Sequence, residues 1–297
     1  MPSFNLLLSS NAYNKSTGEL VYRLPSGASF SGLECCINTM TMYNSFTNIS
    51  SEYGNNTITL RYPIFTAANV YTMQSYVCTL ATGHYSFEAL NNALDDFCLK
   101  NGLYLVDSTG KIVVFQNITE NPVTYKIELT TYYLPTSAQA AALGMSNPGG
   151  LAILNAGNKQ VSAQVQVTLS DQQRLTGFAV GTYPPTGLES VAPTWSNTPA
   201  YTGFSSTTGE VNRVNAVTVA CNCVQNPYSI PDSLLALVPV TSRYGAAFVF
   251  NPSNSMWSAC PNTMLQEIKI QFYDQEMNRL YLVDSELSLT LSFRDRK

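Results

Sequence analysis

His84 is the one histidine among 297 residues, and that count decides much of the chemistry. Cupin-type metal centres use several histidine ligands, and zinc enzymes usually use two or more. A Cys–His nucleophile pair would have to use His84 itself. His84 stands just ahead of a helix start, where it reads as a polar turn residue. Cys221-Asn222-Cys223 separates its thiols by one residue, not by the two of redox and zinc motifs. Cys260 is the one distal partner from the C-terminal part, and the pair reads as two thiols on one strand face. Asp274-x-Glu276-x-Asn278 places oxygen ligands at alternate positions, as calcium loops begin. It lacks the following glycine and the distal bidentate glutamate, so it reads as a polar hairpin connection. Asp95-Asp96 falls on the outer face of a helix. No Walker loop, GxGxxG, GxSxG or HExxH is present. No catalytic, cofactor-binding or metal-binding residue is assigned, no cofactor is implied, and the chain reads as a non-enzyme.

The remaining motifs are architectural. Cys35, Cys36, Cys78, Cys98, Cys221, Cys223 and Cys260 are odd in number, and several lie inside apolar patterns. They read as reduced thiols acting as small hydrophobes. The N-terminus has no basic region, Leu6-Leu7-Leu8 is too short for a signal sequence, and no apolar run reaches the length of a membrane span. The sequons at Asn14, Asn48, Asn55 and Asn117 read as accidents of an Asn/Thr-rich chain.

Composition points to a subunit with covered surfaces. Hydrophobic residues make up 45% of the chain and charged residues only 11%, against roughly 25% charged in an average soluble domain. Charge is what keeps a monomer's surface dispersed. A chain this poor in it is expected to bury outer surface against neighbours. The 18 tyrosines suit strands and wet interfaces. A net charge of −4 gives no support for nucleic-acid binding. The basic cluster Arg294, Arg296 and Lys297 reads as a solvated tail.

Strand periodicity dominates. Extended runs are expected at Ala28–Tyr43, Thr57–Tyr62, Val70–Leu80 and Val123–Tyr133, with a hairpin over 103–115 turning at Asp107-Ser108-Thr109-Gly110. Ser86 is the expected N-cap of one helix, whose inner face carries Phe87, Leu90, Leu94, Phe97 and Cys98 and which stops at Asn101-Gly102. Residues 136–159 carry no strong pattern. Alternation resumes at Val161–Leu169, 183–208 is loop-like, and Val211–Val224 suggests a strand pair. Further strands are expected at Leu234–Val240, Ala246–Phe250, Ile268–Phe272, Leu280–Val283 and Leu287–Phe293. About eight to ten strands lie outside the middle segment, close to two packed four-stranded sheets.

Four segments resemble the capsid proteins of virophages and polinton-like viruses. They are Leu33–Ser50; Gly83-His84-Tyr85-Ser86-Phe87 with Leu90-Asn91-Asn92; Gly102-x-Tyr104 with Tyr125–Pro135; and Val238-Pro239-Val240 through Tyr244-Gly245, Ile268–Asp274, Asn278-x-Leu280, Asp284 and the last strand. The ending is similar to the penton, or minor capsid, protein of that group. The resemblance implies an all-β fold: a single jelly roll of two four-stranded antiparallel sheets with one short helix and an inserted β-rich subdomain. Its expected boundaries are 1–135 and 231–297 for the jelly roll and 136–230 for the insertion. It implies a homopentamer at icosahedral vertices in contact with a double-jelly-roll major capsid protein, located in the virion and assembled in the host cytoplasm. A host-cell receptor or glycan is an expected partner of the insertion. The alternative is a lectin-like β-sandwich that stacks sugars on Tyr183, Trp195, Tyr201 and Phe204.

Overall fold

A computed structural model of the chain describes residues 3–67, 70–151, 164–185, 199–280, 282 and 286–296. The N-terminal part supplies β1 (Ser3–Ser9), β2 (Tyr13–Asn14), β3 (Glu19–Ser29) and β4 (Leu33–Tyr43). The middle supplies β5 (Thr57–Ala67), β6 (Val70–Thr79), α1 (Phe87–Lys100), β7 (Leu105–Val106), β8 (Ile112–Val113), β9 (Gln116–Glu120) and β10 (Lys126–Thr131). It continues with α2 (Ser137–Ala142), β11 (Gln166–Leu169), α3 (Gln173–Thr176), β12 (Gly181–Tyr183) and β13 (Tyr201–Thr208). The C-terminal part supplies β14 (Ala216–Cys221), β15 (Leu234–Pro239), β16 (Ala247–Phe250), β17 (Ser258–Ala259), β18 (Met264–Tyr273) and β19 (Leu287–Asp295). The chain divides into two compact units, Met1–Phe46 with Val214–Lys297, and Thr47–Arg213.

In the first unit, alternation builds the sheets. Leu287, Leu289, Leu291 and Phe293 are buried while Ser288 is exposed. Ile268, Ile270 and Phe272 do the same on β18. β4 carries one extra residue opposite β19: Thr290 faces Thr39 and Leu291 faces Ile37, so Asn38 bulges out. The bulge resets the phase, and Cys35 and Ile37 join Met40 and Met42 on the buried side. The unit's core draws on both sheets, from Leu289 and Met40 to Val219 and Ile270.

The strand order is diagnostic. Counted along the chain, the principal strands of this unit are β1, β3, β4, β14, β15, β16, β18 and β19. One sheet runs β1-β19-β4-β16, that is first, eighth, third, sixth; the other runs β3-β18-β14-β15, that is second, seventh, fourth, fifth. The pairs β1·β19, β3·β18, β4·β16 and β14·β15 are all antiparallel. One long hairpin rolled on itself gives this order, and it defines a jelly roll. Short β2 and β17 extend the two sheets along β3 and β4. Phe293 is fully buried, stacked on Phe4 at 4.8 Å and tilted against Phe30 at 5.3 Å. Phe293→Ala is expected to lower the stability of this unit by about 3–5 kcal/mol in urea unfolding. A loss below about 1 kcal/mol would mean that the site is not packed as described.

In the second unit, sheets β12-β11-β5-β6 and β13-β10-β9 share one core with α1. Ser86 caps α1 by accepting from the Ala89 N–H at 3.1 Å, and Phe87, Leu90, Leu94 and Cys98 are buried. Phe97 is only half-buried. Gly102 has φ +68°, and a Cβ there would lie 2.2 Å from the Gly149 carbonyl oxygen, so the turn after α1 requires glycine. Thr136 and Gln139 form a reciprocal capping box on α2.

These units correct the expected boundaries. The jelly roll is complete without residues 47–213, and the insertion interrupts it between its third and fourth strands, at 46/47 and 213/214 rather than at 135/136 and 230/231. The physical reason is core sharing. β5, α1 and β10, expected in the roll, bury Ile58, Leu60, Leu90 and Leu129 with Val167 and Leu169 of β11. β14, expected in the insertion, pairs with β15 and β18 of the roll. Among the described residues, the single expected helix becomes three α-helices, all in the inserted unit. Val161 and Ala163 of the expected strand lie outside the described residues, as do Tyr281 and residues 283–285 of the segment before β19.

Candidate functional site

Among the described residues, Cys221 and Cys223 come together, while His84, Asp95 and Asp274 each sit in a separate local setting. His84 is half-buried beside the bridge between Ile49 and Gly83. Asp274 is buried in the connection after β18. Its Oδ1 accepts from the N–H of Glu276 at 2.9 Å and of Asn278 at 2.8 Å, and its Oδ2 accepts from Asn278 Nδ2 at 3.0 Å. The carboxylate therefore shapes the turn. Among the described residues, no group of three or more His, Cys, Asp and Glu is placed to hold a metal ion. Asp95 borders a cleft of ≈ 360 Å³ with Asp107, Lys111 and Gln116. Burial, and then the charge of Asp96, push its carboxyl up from the ordinary range. Among the described residues, no imidazole or thiol lines that cleft to act as its partner.

Two of the sequon asparagines are structural. Asn48 is buried, accepts from the Tyr85 N–H at 2.8 Å, and donates to the carbonyls of Tyr85 at 2.8 Å and Val211 at 2.9 Å. Asn55, also buried, accepts from the Ser50 N–H and donates to the Asn48 carbonyl. Sequence reading missed this knot, which ties the first residues of the inserted unit to its last.

Arg294 is not part of a loose tail. It pairs with Glu34 at 2.9 Å, directly across the β4·β19 ladder, and lies 4.0 Å from the Trp257 ring centre. The Arg296 N–H donates to the Gly32 carbonyl at 2.7 Å; Lys297 lies outside the described residues. Across β3·β18, Gln271 donates to Glu19 at 2.7 Å and Arg279 pairs with it at 2.8 Å. The Gln271 hydrogen bond, with Arg279 behind it, holds the Glu19 carboxyl below its ordinary value. A depressed carboxylate contributes stability above its unfolded pKa and loses that contribution as pH falls through its folded pKa. Glu19→Gln is therefore expected to flatten the stability profile of the jelly roll on the acid side of pH ~4.5. An unchanged profile would refute the coupling.

Part of the exposed apolar surface lies on edge strands of the jelly roll. β1 and β16 border one sheet, and β15 borders the other. Leu7 on β1 is 67% exposed, Leu237 on β15 58% and Val249 on β16 63%. Apolar side chains on open strands invite pairing or packing by another chain. Of the expected sugar-stacking aromatics, Tyr201 and Phe204 are three apart on β13 and so point to opposite faces. Tyr183 is held against Phe178 and by its hydroxyl's hydrogen bond to Ala179, and Trp195 lies outside the described residues. No helix among the described residues is long and apolar enough to cross a membrane.

The fold that these elements define is an all-β jelly roll carrying a large β-rich insertion. No protein-family model matches the chain, and no curated protein matches it. Among solved structures, it is similar to the SeMet-labelled mavirus penton protein at 12% identity and TM-score 0.43, covering 98% of each chain. It is also similar to a chain of the Sputnik virophage structure determined by cryo-EM, at 11% identity and TM-score 0.36, covering 99% of this chain and 98% of that one.

Proposed function

We propose that this chain is a structural viral capsid protein that closes into a homopentamer at the icosahedral vertices and meets a double-jelly-roll major capsid protein there. The observation that carries the reading is a complete jelly roll whose open edges expose Leu7, Leu237 and Val249 in a chain of only 11% charged residues. Such walls need neighbours, and a heterologous contact that closes by rotation provides them in a ring. The segments that resemble penton proteins support the same assignment. The protein would be assembled in the host cytoplasm and reside in the virion.

Co-expression with the major capsid protein, followed by cryo-EM of the particles, tests the position. Density for this chain at the five-fold vertices is expected, and its absence there would refute the placement. Single charges at the edges test the contact. Leu7→Lys, Leu237→Lys and Val249→Lys should each leave the fold intact, and at least one should lower assembly by tenfold or more, since a charge on an open edge opposes pairing. Undiminished assembly in all three would remove the edges as contact sites.

A second reading concerns the inserted unit, which leaves Tyr125 and Phe204 exposed. Contact with a host-cell receptor or glycan would use such side chains. A glycan array lacking any signal would remove the sugar form of this reading.

A further inference from the structure

We propose that Cys221 and Cys223 form a redox pair, a dithiol that closes to a disulfide inside the jelly-roll core when the protein meets a small peroxide. This lies beyond the capsid reading and does not depend on it.

The two thiols were expected to share a strand face, where residues two apart stand ~6.6 Å apart along the strand, too far for the ~3.5–4.5 Å Cβ separation of a disulfide. The structure differs. Cys221 ends β14, and the chain turns at once, with the Val224 N–H donating to the Cys221 carbonyl at 3.2 Å. The turn folds Cys223 back until its sulfur lies 3.0 Å from that of Cys221. Asn222 fixes this arrangement from outside. Its N–H donates to the Lys269 carbonyl at 3.1 Å, its Oδ1 accepts from the Lys269 N–H at 2.8 Å, and its Nδ2 donates to the Glu267 carbonyl at 2.9 Å. With the middle residue anchored on β18, both flanking thiols point into the core, where each is at most 1% exposed. Cys35 is the next thiol, 3.9 Å from Cys223.

The step balances simply. One thiol and hydrogen peroxide give a sulfenic acid and water; the second thiol then displaces a second water and the S–S bond forms. Burial pushes the Cys221 thiol well up from its ordinary value, so reaction is slow and a small oxidant is required.

The test uses the full chain, reduced, desalted and treated with hydrogen peroxide, then denatured and alkylated. Cleavage at Arg213 and Arg243 releases a peptide holding Cys221 and Cys223 and no other cysteine. The expected result is loss of two of the seven titratable thiols, with that peptide unalkylated and two hydrogens lighter. Asn222→Ala should slow the loss several-fold, and Cys221→Ser should abolish it. Full alkylation of all seven, a bond to Cys35 or Cys260, or an Asn222→Ala rate equal to the parent's would each overturn the proposal.

Discussion

Excision of Thr47–Arg213, with a flexible Gly/Ser linker joining Phe46 to Val214, is expected to leave a folded β protein that unfolds cooperatively. All eight principal strands of the roll lie outside the excised segment. The core from Leu8 and Met40 to Phe272 and Phe293 is likewise supplied by Met1–Phe46 and Val214–Lys297 alone. The remaining chain of about 130 residues falls within the usual size of an independent domain. A β-type circular dichroism spectrum with a single sharp urea transition is the expected readout. A product that binds hydrophobic dyes and lacks a cooperative transition would show that the roll cannot stand without its insertion.

Asn48→Ala is expected to destabilise the inserted unit by about 2–4 kcal/mol. One buried amide serves the Tyr85 N–H, the Tyr85 carbonyl and the Val211 carbonyl. Truncation leaves those groups without their partner in a part-buried setting, where an unpaired polar group costs about 1–3 kcal/mol. Asn48→Asp should not rescue the loss: a carboxylate still accepts from Tyr85, but it turns an oxygen toward two carbonyl oxygens. Hydrogen exchange at the Tyr85 amide reads the effect locally. Exchange as slow as in the parent would mean that the knot is not holding the segment.

Local features were legible from sequence, and long-range ones were not. α1 announces itself through Ser86, the Phe87, Leu90, Leu94 and Cys98 stripe and Gly102, because capping and helical periodicity act within a few residues. β18 and β19 are equally plain from their alternation. The all-β class and the single jelly roll also stand in the structure. Its boundaries were missed because the roll is closed by pairs from opposite ends of the chain. Leu6-Leu7-Leu8 looks unremarkable by itself, yet β1 lies beside β19, with Leu6 opposite Leu291. β3 runs through Pro25 and Gly27, which mask a strand that β18 nonetheless pairs with on either side of them, at Glu19 to Arg23 and at Ala28 and Ser29. α2 did leave a signal, the Thr136-x-x-Gln139 capping box, in a segment read as patternless. The proximity of Cys221 and Cys223 depends on a turn and on Asn222's grip on β18, which spacing alone does not reveal.

The central claim is that the jelly roll is one wall of a closed five-membered ring. Multi-angle light scattering of the purified full chain tests it most directly. The account predicts a single species near 160 kDa, about five times the 32.5 kDa of one chain. A species of 32.5 kDa that persists at high concentration, with the fold intact by circular dichroism, would contradict it.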